Sequence, residues 1–227
     1  MPISSLLPSD INKAVEEETR HITEWCRTND LKVNVAKSKL LLLTRRSVQF
    51  STPSELPLVE EMKVLGVVLN RKLNWKSHTQ HVTLATSRRF HILRRAKNLV
   101  SQADLHLLYT ALIRSVIEYA SPAFIGLPKT LTKKLNKIDN RAHRLIYNIP
   151  FDAPYEVNCG CTKDSIEKRR ILATLKLFSS ISQNKSHTLH KRLPTFSRTR
   201  YILPLSRTSK RANSFFPRTA RLYNELH

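Results

Sequence analysis

Residues 63–98, KVLGVVLNRKLNWKSHTQHVTLATSRRFHILRRAKN, change their period partway along. The opening run Lys63-Val64-Leu65-Gly66-Val67-Val68-Leu69 is β-branched and bounded by turn residues, which predicts a strand. Gly66 inside it predicts a bulge or the close approach of another backbone. From Trp75 the spacing becomes helical. Residues 76–99 read as a long basic helix with Val82, Ala85, Phe90, Leu93 and Ala96 on its apolar side and Arg88, Arg89, Arg94, Arg95 and Lys97 elsewhere.

Working toward the C-terminus, the same period predicts three more helices. Residues 102–119 carry Leu105, Leu108, Leu112, Val116 and Tyr119 as a stripe, and Pro122 ends the segment. Residues 129–147 point Leu131, Leu135, Ile138, Ala142 and Leu145 inward, and residues 164–183 do so with Ile171, Leu175, Phe178 and Ile181. Beyond residue 184 the pattern weakens into Ser, Thr, Lys and Arg punctuated by Pro194, Pro204 and Pro217. This reads as an irregular basic tail with a short helix at 217–226.

Working toward the N-terminus, residues 10–28 read as an amphipathic helix capped by Asp10, with Ile11, Val15, Ile22, Trp25 and Cys26 at helical spacings. Leu31, Val33 and Val35 alternate as in a half-buried strand, and the run Leu40 to Leu43 fits a second. Residues 47–61, with Pro53 and Pro57, read as a loop. The fold class expected is α+β and mainly helical. It comprises a small helix-and-strand piece at 1–74, a helical region at 75–183 and a basic tail at 184–227.

Composition narrows the function. With 227 residues and 41% hydrophobic content the chain can bury a core. Its net charge of +22 calls for a polyanionic partner. Residues 1–61 hold 8 Lys+Arg against 9 Asp+Glu, and residues 62–227 hold 31 against 8, so the charge lies in the second part. No segment approaches the ~20 apolar residues of a spanning helix and no signal peptide opens the chain, so no membrane partner is expected. Three cysteines give no disulfide framework, which suits an intracellular location, nuclear or cytoplasmic.

Other chemistries find no support. Cys159 and Cys161 are too close for a zinc knuckle and are badly placed relative to His187 and His190, while His78 and His81 have no carboxylate nearby. No phosphate-binding loop, nucleophile elbow or H-E-x-x-H helix occurs. Two-metal nucleotide transfer needs close carboxylates, yet no Asp-Asp pair exists, and Glu16-Glu17-Glu18 and Glu60-Glu61 read as solvated positions.

Several stretches together resemble one family. Trp25-Cys26-Arg27-Thr28-Asn29-Asp30-Leu31-Lys32-Val33-Asn34-Val35-Ala36-Lys37-Ser38 is similar to the segment that follows the Tyr-x-Asp-Asp motif in LINE-type, non-LTR retrotransposon reverse transcriptases. Lys63 to Asn70, then Leu73-Asn74-Trp75 and His78, resemble the hairpin that grips the primer end and opens the thumb, with Asn70 where Asp is usual. Leu107-Leu108-Tyr109, Ile117 to Pro122 and Ile138 to Ile146 resemble thumb segments, with Ser115 at a frequent proline position and Phe124 near the usual tryptophan. Asn213-Ser214-Phe215-Phe216-Pro217-Arg218 through Asn224 is similar to a signature closing many jockey-like reading frames.

The resemblance implies the end of a palm, a thumb and the region following it, without the catalytic aspartates. On this reading the chain is a catalytically incomplete piece of an RNA-directed DNA polymerase, inactive alone. It implies Lys37 near the incoming nucleotide and Leu65 and Gly66 near the primer. Nucleic acid is expected on Arg88, Arg89, Arg94, Arg95, Lys97, Arg141 and Arg144. No cofactor is expected in this chain, Mg²⁺ belonging to the complete polymerase. The expected partners are RNA or DNA and the missing polymerase portion. The alternatives are a standalone basic RNA- or DNA-binding protein derived from a transposon, and a non-functional remnant.

Overall fold

The computed structural model describes residues 8–44, 56–150, 152 and 165–226. Expectations for Pro53, Cys159 and Cys161 lie outside the described residues. The fold is α+β and mainly helical, with two small two-stranded antiparallel sheets among the described residues. It divides into two units, residues 1–77 and 78–227.

In the first unit, helix α1 (Pro8–Thr28) begins two residues before the expected cap at Asp10. It ends in a Schellman-type closure: Asp30 adopts a left-handed φ of 54° and the Leu31 amide donates to the Cys26 carbonyl at 2.8 Å. Ile22 and Trp25, expected on its inner stripe, are exposed.

The strand expected at 31–35 is absent. Val35–Lys37 instead forms a single 3₁₀ turn capped by Asn34, whose side-chain oxygen accepts from the Lys37 amide at 3.1 Å. The leucine run contributes one parallel bridge, Leu40 to Leu58, rather than a strand. Alternation marks a candidate strand, but a strand also needs a partner along its length, and here only one residue finds it.

The run at 63–69 is not one strand but most of a hairpin. Strands β1 (Glu61–Val64) and β2 (Val67–Asn70) pair antiparallel, with Val64 opposite Val67. Leu65 (φ 46°) and Gly66 (φ 82°) form the two-residue turn between them. Positive φ at both central residues defines the primed turn whose twist suits a hairpin. Gly66 therefore marks the turn itself, not a bulge.

Asn70 then organises the exit. Its side-chain oxygen accepts from the Asn74 amide at 3.1 Å, while its side-chain nitrogen donates to Asn74 Oδ1 at 2.8 Å and to Ser77 Oγ at 3.3 Å. An aspartate could not make the last two bonds, which accounts physically for the amide at this position. Asn74 Oδ1 also accepts from the Lys76 amide, the first of helix α2 (Lys76–Ala96).

The second unit is built on α2, α3 (Gln102–Tyr109), α4 (Ser115–Glu118), α5 (Lys129–Tyr147) and α6 (Ile166–Gln183). A π-helical turn, Thr110–Arg114, joins α3 to α4. The cause is visible in the burial: Leu105, Tyr109, Ile113 and Ile117 are all buried at intervals of four. In a pure α-helix that spacing drifts about 40° per step, and one wider turn restores the alignment. The buried stripe thus runs one position away from the predicted Leu108, Leu112 and Val116, which are half-buried, and Tyr119 is exposed.

The other helices show the same pattern. Helix α5 spans the residues predicted, yet it buries Asp139, His143 and Ile146 beside Leu131, Leu135 and Ala142, with Ile138 and Leu145 half-buried. Helix α6 buries Ile166, Arg170 and Thr174 with Phe178 and Ile181. Helix α2 buries Thr86, whose hydroxyl donates back to the Val82 carbonyl at 2.8 Å, and Ala85 is only half-buried.

The tail expected to be largely irregular is partly ordered. Strands β3 (Phe196–Ser197) and β4 (Arg200–Tyr201) pair, and helices α7 (Ser209–Ala212) and α8 (Phe215–Leu226) follow. Its aromatic rings close on α6: Tyr201 meets Phe178 at 5.0 Å and Tyr223 at 5.1 Å between centroids. Gly126 presses against this segment so tightly that a Cβ would lie 2.0 Å from the Asn213 carbonyl oxygen.

Candidate nucleic-acid interface

The sequence-nominated residues fall in both units. Lys37 is exposed on its 3₁₀ turn, and Leu65 and Gly66 are exposed at the tip of the first hairpin. The seven nominated basic residues belong to the second unit, which holds 27 Lys+Arg against 8 Asp+Glu, a net of +19.

These seven do not form one surface. Counting 3.6 residues per turn from the buried Phe90, Arg88 and Arg95 face away from it, while Arg94 lies beside it. Arg94 sits over the Phe90 ring at 5.8 Å, and Arg141 of α5 sits over the same ring at 4.5 Å. Two guanidinium groups from two helices therefore converge on one phenyl ring, whose π-face favours cations. Arg89 turns the other way and donates from Nη1 to the Leu112 carbonyl in the π-helical turn at 3.0 Å. Arg144 donates to the Pro150 carbonyl just beyond the end of α5. Lys97 is half-buried just after α2.

Sequence reasoning missed the rest of the α5 rim. Lys133 and Lys137 are exposed and precede Arg141 by eight and four residues, one helical stripe about 12 Å long at 1.5 Å per residue. The signal was present in the spacing. Arg94 and Arg141 over Phe90, with Lys137 and Lys133 following along α5, make up a candidate cationic face.

Two carboxylates of the second unit are instead held among the helices. The Tyr109 hydroxyl donates to Asp139 Oδ1, and His143 Nδ1 lies 3.8 Å from Asp139 Oδ2. Arg169 donates from Nε to Glu118 at 2.5 Å and approaches Asp139 at 3.9 Å, while Arg114 pairs with Glu118 at 3.2 Å. Burial opposes the charge on Arg169, but the hydrogen bond and charge of Glu118, with Tyr109 and Asp139, outweigh it and raise its pKa. Burial, then the Asp139 charge and hydrogen bond, push the Tyr109 phenol up so that it remains a donor. Tyr109, Asp139 and His143 thus belong to the interior, with Glu118 half-buried beside them.

Arg170 is also an interior arginine. It donates to the Phe124 carbonyl at 2.8 Å and stacks over that ring at 4.9 Å, and burial lowers its pKa to about 10. His78 is buried edge-on to Phe124 at 4.8 Å, and His81 is exposed. His190 contacts the Ile181 carbonyl at 2.8 Å through Nδ1, and His187 Nδ1 accepts from the Leu189 amide at 3.1 Å. Among the described residues no group of three His, Cys, Asp or Glu could hold a metal ion, and no helix is long and apolar enough to cross a membrane. No protein-family model, curated protein or solved structure matches the chain.

Proposed function

We propose that the second unit binds nucleic acid through the rim of α2 and α5. On this reading the chain is part of a non-LTR retrotransposon reverse transcriptase, contributing primer–template binding and catalytically incomplete by itself. The observation that carries the binding is the convergence of Arg94 and Arg141 on Phe90, beside the stripe of Lys133 and Lys137. Guanidinium groups held over a ring are oriented before the ligand arrives, so less freedom is lost when each phosphate is bound. The reverse-transcriptase assignment is supported by the ordered series of resembling segments from Trp25 to Asn224. Lys37 and the Leu65-Gly66 tip would then serve the nucleotide and primer, with Mg²⁺ held by the complete polymerase.

The self-contained core of the second unit favours one other reading, a standalone RNA- or DNA-binding protein of transposon origin. A primed RNA template offered to the purified chain with Mg²⁺ and deoxynucleotides tests the proposal. Binding without extension is expected. Extension would contradict the catalytic part, and failure to bind would contradict the whole reading.

A further inference from the structure

Between Glu167 and Glu225 the chain carries no Asp or Glu and 14 Lys+Arg. Within that stretch the β3–β4 hairpin exposes an aromatic ring. Phe196 is 52% exposed, against 6% for Phe90 in the α2–α5 rim. The buried ring can orient arginines but cannot receive a base, whereas the exposed one can.

The exposed ring stands on a fixed base. Phe196 pairs across the strands with Tyr201 and meets its ring edge-on at 4.8 Å. Tyr201 is held from behind by Phe178 and Tyr223, and its backbone by Asn224. The Ile202 amide donates to the Thr195 carbonyl at 2.8 Å, extending the pairing one step beyond the strands. Exposed cations lie close in sequence: Arg198 in the turn with a left-handed φ of 55°, Arg200 on the opposite face of the hairpin from Phe196, and Arg207 beyond β4. Ile202 and Leu205, farther along the same basic stretch, are also exposed.

We propose that this hairpin is a platform for unpaired nucleotides, with a base stacking on Phe196 and the exposed arginines of the turn and of the segment after β4, Arg198 and Arg207, holding flanking phosphates. The inference rests on the nucleic-acid reading above and adds the ligand's state. A duplex hides its base faces, so a ring presented on a hairpin serves a single strand, while backbone charge alone serves either form.

The test uses the full chain with two probes at one salt concentration: a single-stranded oligoribonucleotide carrying 2-aminopurine, and an unlabelled duplex of equal length. Stacking on Phe196 predicts a changed 2-aminopurine signal. It also predicts about tenfold weaker single-strand binding in Phe196→Ala, recovery in Phe196→Tyr, and duplex affinity within about twofold of the parent. Matching unfolding midpoints for the variants keep the comparison independent of folding. Equal single-strand binding by Phe196→Ala, with duplex binding intact, would overturn this inference and leave the α2–α5 reading standing. Loss of both probes by the parent chain would overturn both. If Phe196→Ala instead loses binding to phosphatidylserine vesicles and keeps the single strand, the hairpin is a lipid-contacting surface and the proposal is wrong.

Discussion

The side-chain amide of Asn224 pairs with both backbone groups of Tyr201, accepting from its N–H and donating to its C=O, each at 2.9 Å. The amide copies what a neighbouring strand would offer and caps β4 along its edge. Helix α8 is thereby fastened to the second hairpin, where the aromatic rings of Phe178, Tyr201 and Tyr223 meet.

Asn224→Ala leaves that donor and acceptor of Tyr201 without their partner. The expected cost is about 1–3 kcal/mol, read as a lower urea midpoint with an unchanged m-value. Asn224→Asp keeps the acceptor but turns a carboxylate oxygen toward the Tyr201 carbonyl, and should also be less stable than the parent. Equal stability for all three would show that the pairing contributes nothing.

Arg169 joins α6 to α4 and α5 through Glu118 and Asp139. Replacing it with Met preserves most of the volume but removes one cation from both carboxylates, leaving Glu118 with Arg114 and the more deeply buried Asp139 with the Tyr109 hydroxyl and His143. Breaking a buried pair in this way costs about 3–5 kcal/mol, and the partial exposure of Glu118 puts the expectation at the lower end. Chemical unfolding of Arg169→Met measures it. A loss under about 1 kcal/mol would mean that the carboxylates find water or other partners.

Stability should fall on mild acidification. Burial lowers the pKa of His143, against the raising effect of Asp139, and burial lowers that of His78, aided by His81 and Arg170. Both imidazoles are therefore favoured neutral in the fold, while the unfolded chain takes up protons near the ordinary value of 6.5. Their contribution is present above that value and is lost as pH falls toward the depressed folded values. Urea midpoints from about pH 7.5 to about pH 5.5 should decline in the parent and decline less in His143→Gln. An identical slope in the variant would remove His143 from the account.

How far the sequence could be read depended on the range of the interaction. Helix α5 was legible end to end because Leu131, Leu135 and Ala142 announce a face through local spacing alone. Asp139, His143 and Arg170 were not legible as interior residues, because each reads as polar and only its partners on other helices make burial tolerable. The hairpin at Leu65-Gly66 hid within a β-branched run that lacks the usual Asn-Gly turn. Asn224 was legible as part of a resemblance but not as the partner of Tyr201, 23 residues away. Of the proposed interface, the charge was visible and the arrangement was not. The convergence of Arg94 and Arg141 depends on how α2 meets α5 around Phe90.

The most direct test of that interface is the salt dependence of duplex affinity for the parent chain and for Arg94→Ala/Lys137→Ala/Arg141→Ala. Each phosphate contact contributes about −0.9 to the slope of log K against log salt, so losing three should flatten it by about 2 to 3. Affinity at low salt should fall with it, while Arg88→Ala/Arg95→Ala, on the far side of α2, should change the slope little. A triple variant with the parent's slope, or a larger effect from Arg88 and Arg95, would place the nucleic acid elsewhere and contradict the α2–α5 interface.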